Sequence, residues 1–187
     1  MQRDSIALEH RARAQAVPRL SASHAAGDLP LTMKKLEESK PGTTSSLRAD
    51  VNEVYLWHGY DMQYEDAIVG SNLNERLASD GGLYGAGLYF AENSCKSNQY
   101  CQNHGDRGGQ DSSKTYGILL CRVVLGDIHQ RSAHYTGREA PLNPGHSRPG
   151  SFYDSIVACG GGQVHREFIV FNSAQVYPEF IVHFKYS

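Results

Sequence analysis

The stretch 118–125 constrains the fold of this chain more than any other. Leu119, Cys121, Val123 and Leu125 alternate onto one side, and Ile118, Leu120 and Val124 fall largely on the other, so an extended segment here is apolar on both faces. Such a strand must be covered from both sides, which makes it a central strand of a sheet. Other short strands read at 54–57, ending at His58-Gly59, and at 88–91, 155–158, 165–171 and 179–186. In the last of these Phe180, Val182, Phe184 and Tyr186 alternate onto one face. Helical signals are brief: residues 32–38, a turn or two at 64–69, and a segment near 94–100 for which Asn93 or Ser94 is the candidate cap. Few helices of crossover length separate the strands, which disfavours a doubly wound parallel sheet. The expected fold is a compact, mainly antiparallel, helix-poor α+β domain.

The 187 residues suffice for one domain with a sizeable core. Residues 1–50 differ in texture, with small and polar runs broken by Pro and Gly, such as AVPRLSASHAAGDLP and SKPGTTSSLRAD. They read as an N-terminal extension, partly disordered or packed on the core, and 51–187 as the compact domain. Residues 126–150 read as a long surface excursion. A formal charge of -2 provides no global positive field for a nucleic-acid backbone or an anionic membrane. No run approaches the roughly 18–20 apolar residues of a membrane span. The start MQRDSIALEHRARA has no apolar segment of signal-peptide type. The four cysteines, Cys95, Cys101, Cys121 and Cys159, read as reduced thiols. An intracellular monomer, nuclear or cytoplasmic, with no membrane partner and no need of nucleic acid for activation, is the expectation.

Chemistry concentrates in residues 81–100, GGLYGAGLYFAENSCKSNQY. Closely spaced glycines let backbone approach a ligand or adopt tight turns. A phosphate loop is excluded, since no GKS or GKT follows and no helix begins at the glycines. As a bare glycine run the segment is either a turn or a site. If 94–100 is helical, Ser97 and Tyr100 share a face, with Tyr89 on the strand feeding it. Two tyrosines can grip a flat heterocycle while a hydroxyl and a backbone amide read its polar edge; the alternative is two ordinary core aromatics. Glu167 alternates with Ile169 and Phe171, and a carboxylate on such a face needs a partner or a task.

Together with LWHG at 56–59 and HREFIVFNSAQVYPEFIV at 165–182, this segment resembles the three signatures of the poly(ADP-ribose) polymerase catalytic domain, a diphtheria-toxin-like ADP-ribosyltransferase, in wording most similar to tankyrases. The resemblance covers residues 54–186. It implies an ADP-ribosyltransferase fold with split β-sheets and NAD+ as the ADP-ribose donor. It also implies a catalytic triad of His58, Tyr89 and Glu167. By the same resemblance His58, Gly59, Tyr60, Arg76, Gly82, Tyr89, Ala91, Ser97 and Tyr100 bind the dinucleotide, His58 on the adenosine ribose with Tyr60 on that side, and the others around nicotinamide and the donor loop. That loop, 78–85, is expected to be a mobile lid. The implied activity is poly- or mono-ADP-ribosylation of an acceptor, a protein above all and the enzyme itself included, with release of nicotinamide. NAD+ glycohydrolase activity and a catalytically weak NAD+ or ADP-ribose-binding module are the alternatives.

The chain also departs from that pattern. Tyr60 stands where the family commonly has Ser or Thr, which alters the adenosine side. Of the zinc ligands of tankyrases only Cys101 and His104 remain, and two ligands do not make a structural zinc site, so no metal is expected.

Overall fold

The computed structural model describes residues 29–102, 111–158 and 165–186. Its centre is a seven-stranded sheet in the order β4-β5-β6-β2-β1-β3-β7. The strands are β1 (Glu53–Gly59), β2 (Leu88–Ala91), β3 (Tyr116–Val124), β4 (Ile128–Arg131), β5 (Ser155–Ala158), β6 (Glu167–Val170) and β7 (Val176–Phe184). Every neighbouring pair is antiparallel except β4 with β5, which run parallel. Three α-helices, α1 (Leu31–Ser39), α2 (Glu65–Ser71) and α3 (Ser94–Asn98), and short 3-10 turns complete the described fold. This is the expected mainly antiparallel α+β domain.

The split expected of the sheet lies between β1 and β2. β1 pairs with β3 over its whole length, from Glu53↔Val124 to Gly59↔Ile118, and β2 pairs with β6 from Leu88↔Val170 to Ala91↔Glu167. The two halves are joined in register by one pair, Trp57↔Ala91. β3 is covered on both faces, as its sequence requires. Leu119, Cys121 and Val123 enter the main core with Val54, Leu56, Phe90, Phe168 and Val170, while Ile118 packs with Cys101 and Tyr116, and Val124 with Val51. Burying one such side chain contributes about 1.5–3 kcal/mol. β7 is the outer strand beside β3, and Pro178, which has no N–H to donate, falls where the β3–β7 register shifts.

Two segments are ordered in ways their composition did not announce. Residues 29–50 pack on the core: Met33 is buried, its sulfur accepts from Tyr55 N at 3.2 Å, and α1 is fixed at its start by Glu92. Pro30 offers no capping side chain; Leu31 N donates instead to Glu92 Oε2 at 2.8 Å, and Thr32 Oγ1 to Glu92 O at 2.6 Å. Arg166 then donates to both Glu92 oxygens, at 3.0 and 2.7 Å, and to Leu29 O at 3.2 Å. The excursion at 126–150 contains the edge strand β4, whose Ile128 to Arg131 take their register from Ser155 to Ala158. Four residues of mixed polarity carry no local strand signal, so β5 decides their conformation.

Candidate active site

The seam between the two half-sheets gathers the sequence motifs. β1 delivers His58-Gly59, β2 delivers Tyr89 and Ala91, β6 delivers Glu167, and α3 brings Lys96 and Ser97 against them. The strand parity of Glu167 is as expected: Ile169, two residues on, packs with Tyr84, Ile156 and Ala158, and Tyr89 and Phe171 lie against that cluster.

Glu167 is 5% exposed. Its neighbours across the sheet are Ala91 on one side and Ala158 on the other, so small side chains flank the carboxylate. Lys96 Nζ sits 2.8 Å from Oε1. Among the described residues Oε2 has no partner, which leaves one oxygen clamped and the other free. Burial pulls the Lys96 pKa down, but the hydrogen bond and charge of Glu167 outweigh it and hold the ammonium above its ordinary value. Lys96 therefore keeps its positive charge at neutral pH. Lys96 also lies 5.3 Å from the centre of the Tyr100 ring, which is itself 56% exposed.

Tyr89 is fixed at its hydroxyl, which accepts from Tyr84 N and donates to Gly85 O, both at 2.8 Å. Burial raises its pKa to about 12 against the Tyr84 amide, with the Glu167 charge adding to the rise, so the phenol stays neutral. Gly82 belongs to the same knot: a Cβ there would lie 2.6 Å from Gly85 O, and the Tyr89 hydroxyl would meet it as well. The loop expected to be a mobile lid is tied along its second half, by Ala86 N to Gly137 O at 2.7 Å and Tyr135 N to Leu83 O at 3.0 Å. Asp80 and Arg138 make an exposed ion pair at 2.6 Å.

His58 Nδ1 is 2.7 Å from the Tyr89 carbonyl oxygen. A carbonyl only accepts, so Nδ1 carries the proton and the neutral ring keeps Nε2 as an acceptor. Burial lowers its pKa below the ordinary 6.5, partly offset by that carbonyl. The unfolded chain therefore takes up the proton first as pH falls. His58 contributes its full stabilisation above pH 6.5, and this is lost progressively below it. Thermal melts of the parent and His58→Gln between pH 5 and 7.5 are expected to show the parent losing more stability on acidification. Parallel curves would contradict this.

Ser97 is buried and its hydroxyl donates to Trp57 O at 2.9 Å, bracing α3 against β1. Gly59 lies so close to α3 that a Cβ there would fall on the Ser97 carbonyl. Tyr60 turns into the core, 5% exposed, and its hydroxyl donates to Glu65 Oε2, which also meets His183 Nε2 at 2.8 Å. Arg76 sits exposed in the 3-10 turn Glu75–Leu77. Sequence reasoning missed Lys96, Glu92 and Arg166. The only local signal for Lys96 was its place beside Ser97, and none pointed to the other two.

Among the described residues no three His, Cys, Asp or Glu side chains converge as a metal cage, and His104 lies outside them. No helix there is long and apolar enough to cross a membrane. The mainly antiparallel α+β sheet with its few short helices matches the ADP-ribosyltransferase fold. The chain belongs to the poly(ADP-ribose) polymerase catalytic-domain family, whose sequence profile matches residues 19–186. The match is to the family at large and does not single out tankyrases. Among its relatives, the mouse protein mono-ADP-ribosyltransferase PARP12 is 30% identical over 139 residues, which cover 74% of this chain and 18% of that protein. Human protein mono-ADP-ribosyltransferase PARP11 is 26% identical, covering 72% of this chain and 42% of its own. Poly [ADP-ribose] polymerase 2 of Arabidopsis thaliana is also 26% identical, covering 73% and 24%. The chain thus spans less than half the length of each of these proteins. Membership implies NAD+-dependent ADP-ribosylation as the family's general chemistry.

Proposed function

We propose that this domain takes NAD+ as donor, transfers its ADP-ribose to an acceptor and releases nicotinamide. The acceptor is a protein first of all, the enzyme itself included. The observation that carries this reading is Glu167: a nearly buried carboxylate between two alanines, with Oε1 held by Lys96 and Oε2 without a partner among the described residues. Breaking the bond from ribose C1 to nicotinamide develops positive charge on the sugar, and a fixed carboxylate stabilises that charge more than it stabilises the neutral ground state. The free oxygen can accept a ribose hydroxyl proton or orient the incoming nucleophile.

The other residues supply geometry. Tyr89, held at its hydroxyl, offers one face for nicotinamide, and Tyr100 the opposing one. Ser97 and the Gly59 backbone read the carboxamide, Ser97 through lone pairs that its bond to Trp57 leaves free. His58 Nε2 is the acceptor for a hydroxyl of the adenosine ribose. Gly82, Ala91 and Arg76 line the donor loop side, in keeping with the tankyrase-like wording of NERLASDGGLYGAG. Tyr60, with its hydroxyl given to Glu65, serves the adenosine side through its backbone.

Relatives carry both mono- and poly-transferase names, and the same centre supports either outcome. Chain elongation needs a second ADP-ribose site, for which residues 126–150 are the candidate wall. We place the protein in the nucleus or cytoplasm as a monomer, a reading supported by the free cysteines Cys95, Cys101 and Cys121. The net charge of -2 supports action without nucleic acid. Incubation with adenylate-labelled NAD+, comparing the parent with Glu167→Ala, tests the whole reading. Ladders lost in the variant define a polymerase, a single modified band a mono-transferase, and free ADP-ribose alone a glycohydrolase. A folded parent that releases no nicotinamide with any acceptor overturns the enzyme reading in favour of a binding module.

A further inference from the structure

Beside the Lys96–Glu167 pair lies a second cluster that ADP-ribosyl transfer does not use. Cys95, the residue before Lys96 on α3, is exposed, and its Sγ is 3.7 Å from His165 Nε2. Asn93 Nδ2 donates to His165 Nδ1 at 3.1 Å. The three side chains thus form a row of amide, imidazole and thiol. With Nδ1 accepting from Asn93, the neutral ring carries its proton on Nε2, the nitrogen that faces the sulfur. Asn93 fixes both the tautomer and the tilt of the ring, and the N–H aimed at sulfur can steady the negative charge that gathers there as the thiol attacks an electrophile.

Two consecutive residues of α3 therefore meet two residues around the start of β6: Cys95 meets His165, two residues ahead of the strand, and Lys96 meets Glu167, its first residue. The remaining described thiols are built otherwise. Cys101 is buried, its pKa pushed up to about 11 by burial, and Cys121 is fully buried and pushed up further by the same cause. They serve as slow internal references.

We propose that Cys95 is a nucleophilic modification site, activated by His165 and oriented through Asn93, which takes soft carbon electrophiles such as α,β-unsaturated carbonyls, and that the adduct disables the neighbouring Glu167 centre. The thiol adds across the activated double bond. Sulfur bonds to the β carbon, the C=C π bond is consumed, and the α carbon takes the proton that the thiol gave up. Nothing leaves, and no oxidant or reductant is required. The added group sits next to Lys96, so it competes with the clamp on Glu167 Oε1. The second half of the proposal rests on the transferase reading; the first does not.

The test uses N-ethylmaleimide at pH 7 with peptide mass spectrometry to read each cysteine. Labelling of Cys95 is expected on the order of tenfold faster than labelling of glutathione, with the advantage lost in His165→Ala. His165→Gln, whose side-chain amide can still donate to sulfur, is expected to retain part of it, and thermal melts establish that both variants fold. Reaction at the glutathione rate, or a rate unchanged in folded His165→Ala, overturns the proposal. In the second arm, stoichiometric labelling is expected to lower nicotinamide release at least tenfold in the parent, while the same treatment leaves Cys95→Ser at its untreated rate. Full activity of the labelled parent overturns the claim about Glu167. If the unlabelled parent releases no nicotinamide, the transferase reading fails by itself, and the labelling rates alone decide whether Cys95 is activated.

Discussion

Glu167→Gln is expected to slow nicotinamide release by roughly two to three orders of magnitude, the range typical of losing one preorganised electrostatic group. Glutamine keeps the shape, the flanking Ala91 and Ala158, and an oxygen to accept from Lys96. It removes only the charge that would offset the developing oxocarbenium ion. The fold should tolerate the change, because the Lys96 side chain is 22% exposed and can turn its ammonium toward water once its counter-charge is gone. A stability loss of about 1 kcal/mol is therefore anticipated, as for partly exposed ion pairs. Steady-state nicotinamide release and a thermal melt on the same preparation separate the two effects. A variant that keeps its rate within tenfold would mean that Glu167 is a structural carboxylate and that the charge acts elsewhere. A variant that loses rate and fold together would leave Lys96 pairing as the main role of the residue.

Gly59→Ala should be the most damaging small substitution in the domain. β1 is held on one side by the Gly59↔Ile118 pair, and α3 is held to β1 by the Ser97 hydroxyl on Trp57 O. A methyl at position 59 lands on the Ser97 carbonyl and 3.1 Å from Tyr100 Cβ, so backbone must give on one side or the other. Overpacking of this kind costs about 1–3 kcal/mol. For a domain of this size that corresponds to a fall in melting temperature of roughly 2–4 °C per kcal/mol. The same displacement moves Ser97 and Tyr100, so nicotinamide affinity should drop by at least about tenfold, one tenfold step being 1.4 kcal/mol. Gly70→Ala provides the contrast: within α2 its Cβ meets nothing within 4 Å, and replacing a helix glycine there should be neutral or gain about 0.5–1 kcal/mol. Differential melts and nicotinamide titration calorimetry on both variants read these effects. Equal melting of Gly59→Ala and the parent would show that α3 is not seated against β1 as described.

Much of this architecture is legible residue by residue. Leu119, Cys121 and Val123 on one face and Ile118, Leu120 and Val124 on the other announce a doubly covered strand, and β3 is one, although Leu120, beside the shift in the β3–β7 register, joins the main core cluster instead. The parity of Glu167 with Ile169 places the carboxylate on the face that Tyr89 shares, and the β2–β6 register puts it there. Less legible is whatever depends on a partner distant in sequence. Residues 29–39 look like weak helix in a polar arm, and only Glu92 at the start of α1 and Arg166 behind it explain their position. Residues 128–131 look like loop until β5 gives them a partner. Tyr60 looks like a replaced ligand contact, and its hydroxyl goes to Glu65 instead.

By itself the sequence determined which segments extend, which faces they bury and which polar residues fall on apolar faces, because these follow from periods of two and 3.6 along the chain. Tertiary structure alone decided that Lys96 clamps one oxygen of Glu167, that Cys95 meets His165, and that the two half-sheets join through a single pair at Trp57 and Ala91. Those contacts join residues more than thirty positions apart, and their distances are set by strand register and by the seat of α3 on β1. Local periodicity encodes direction but not distance.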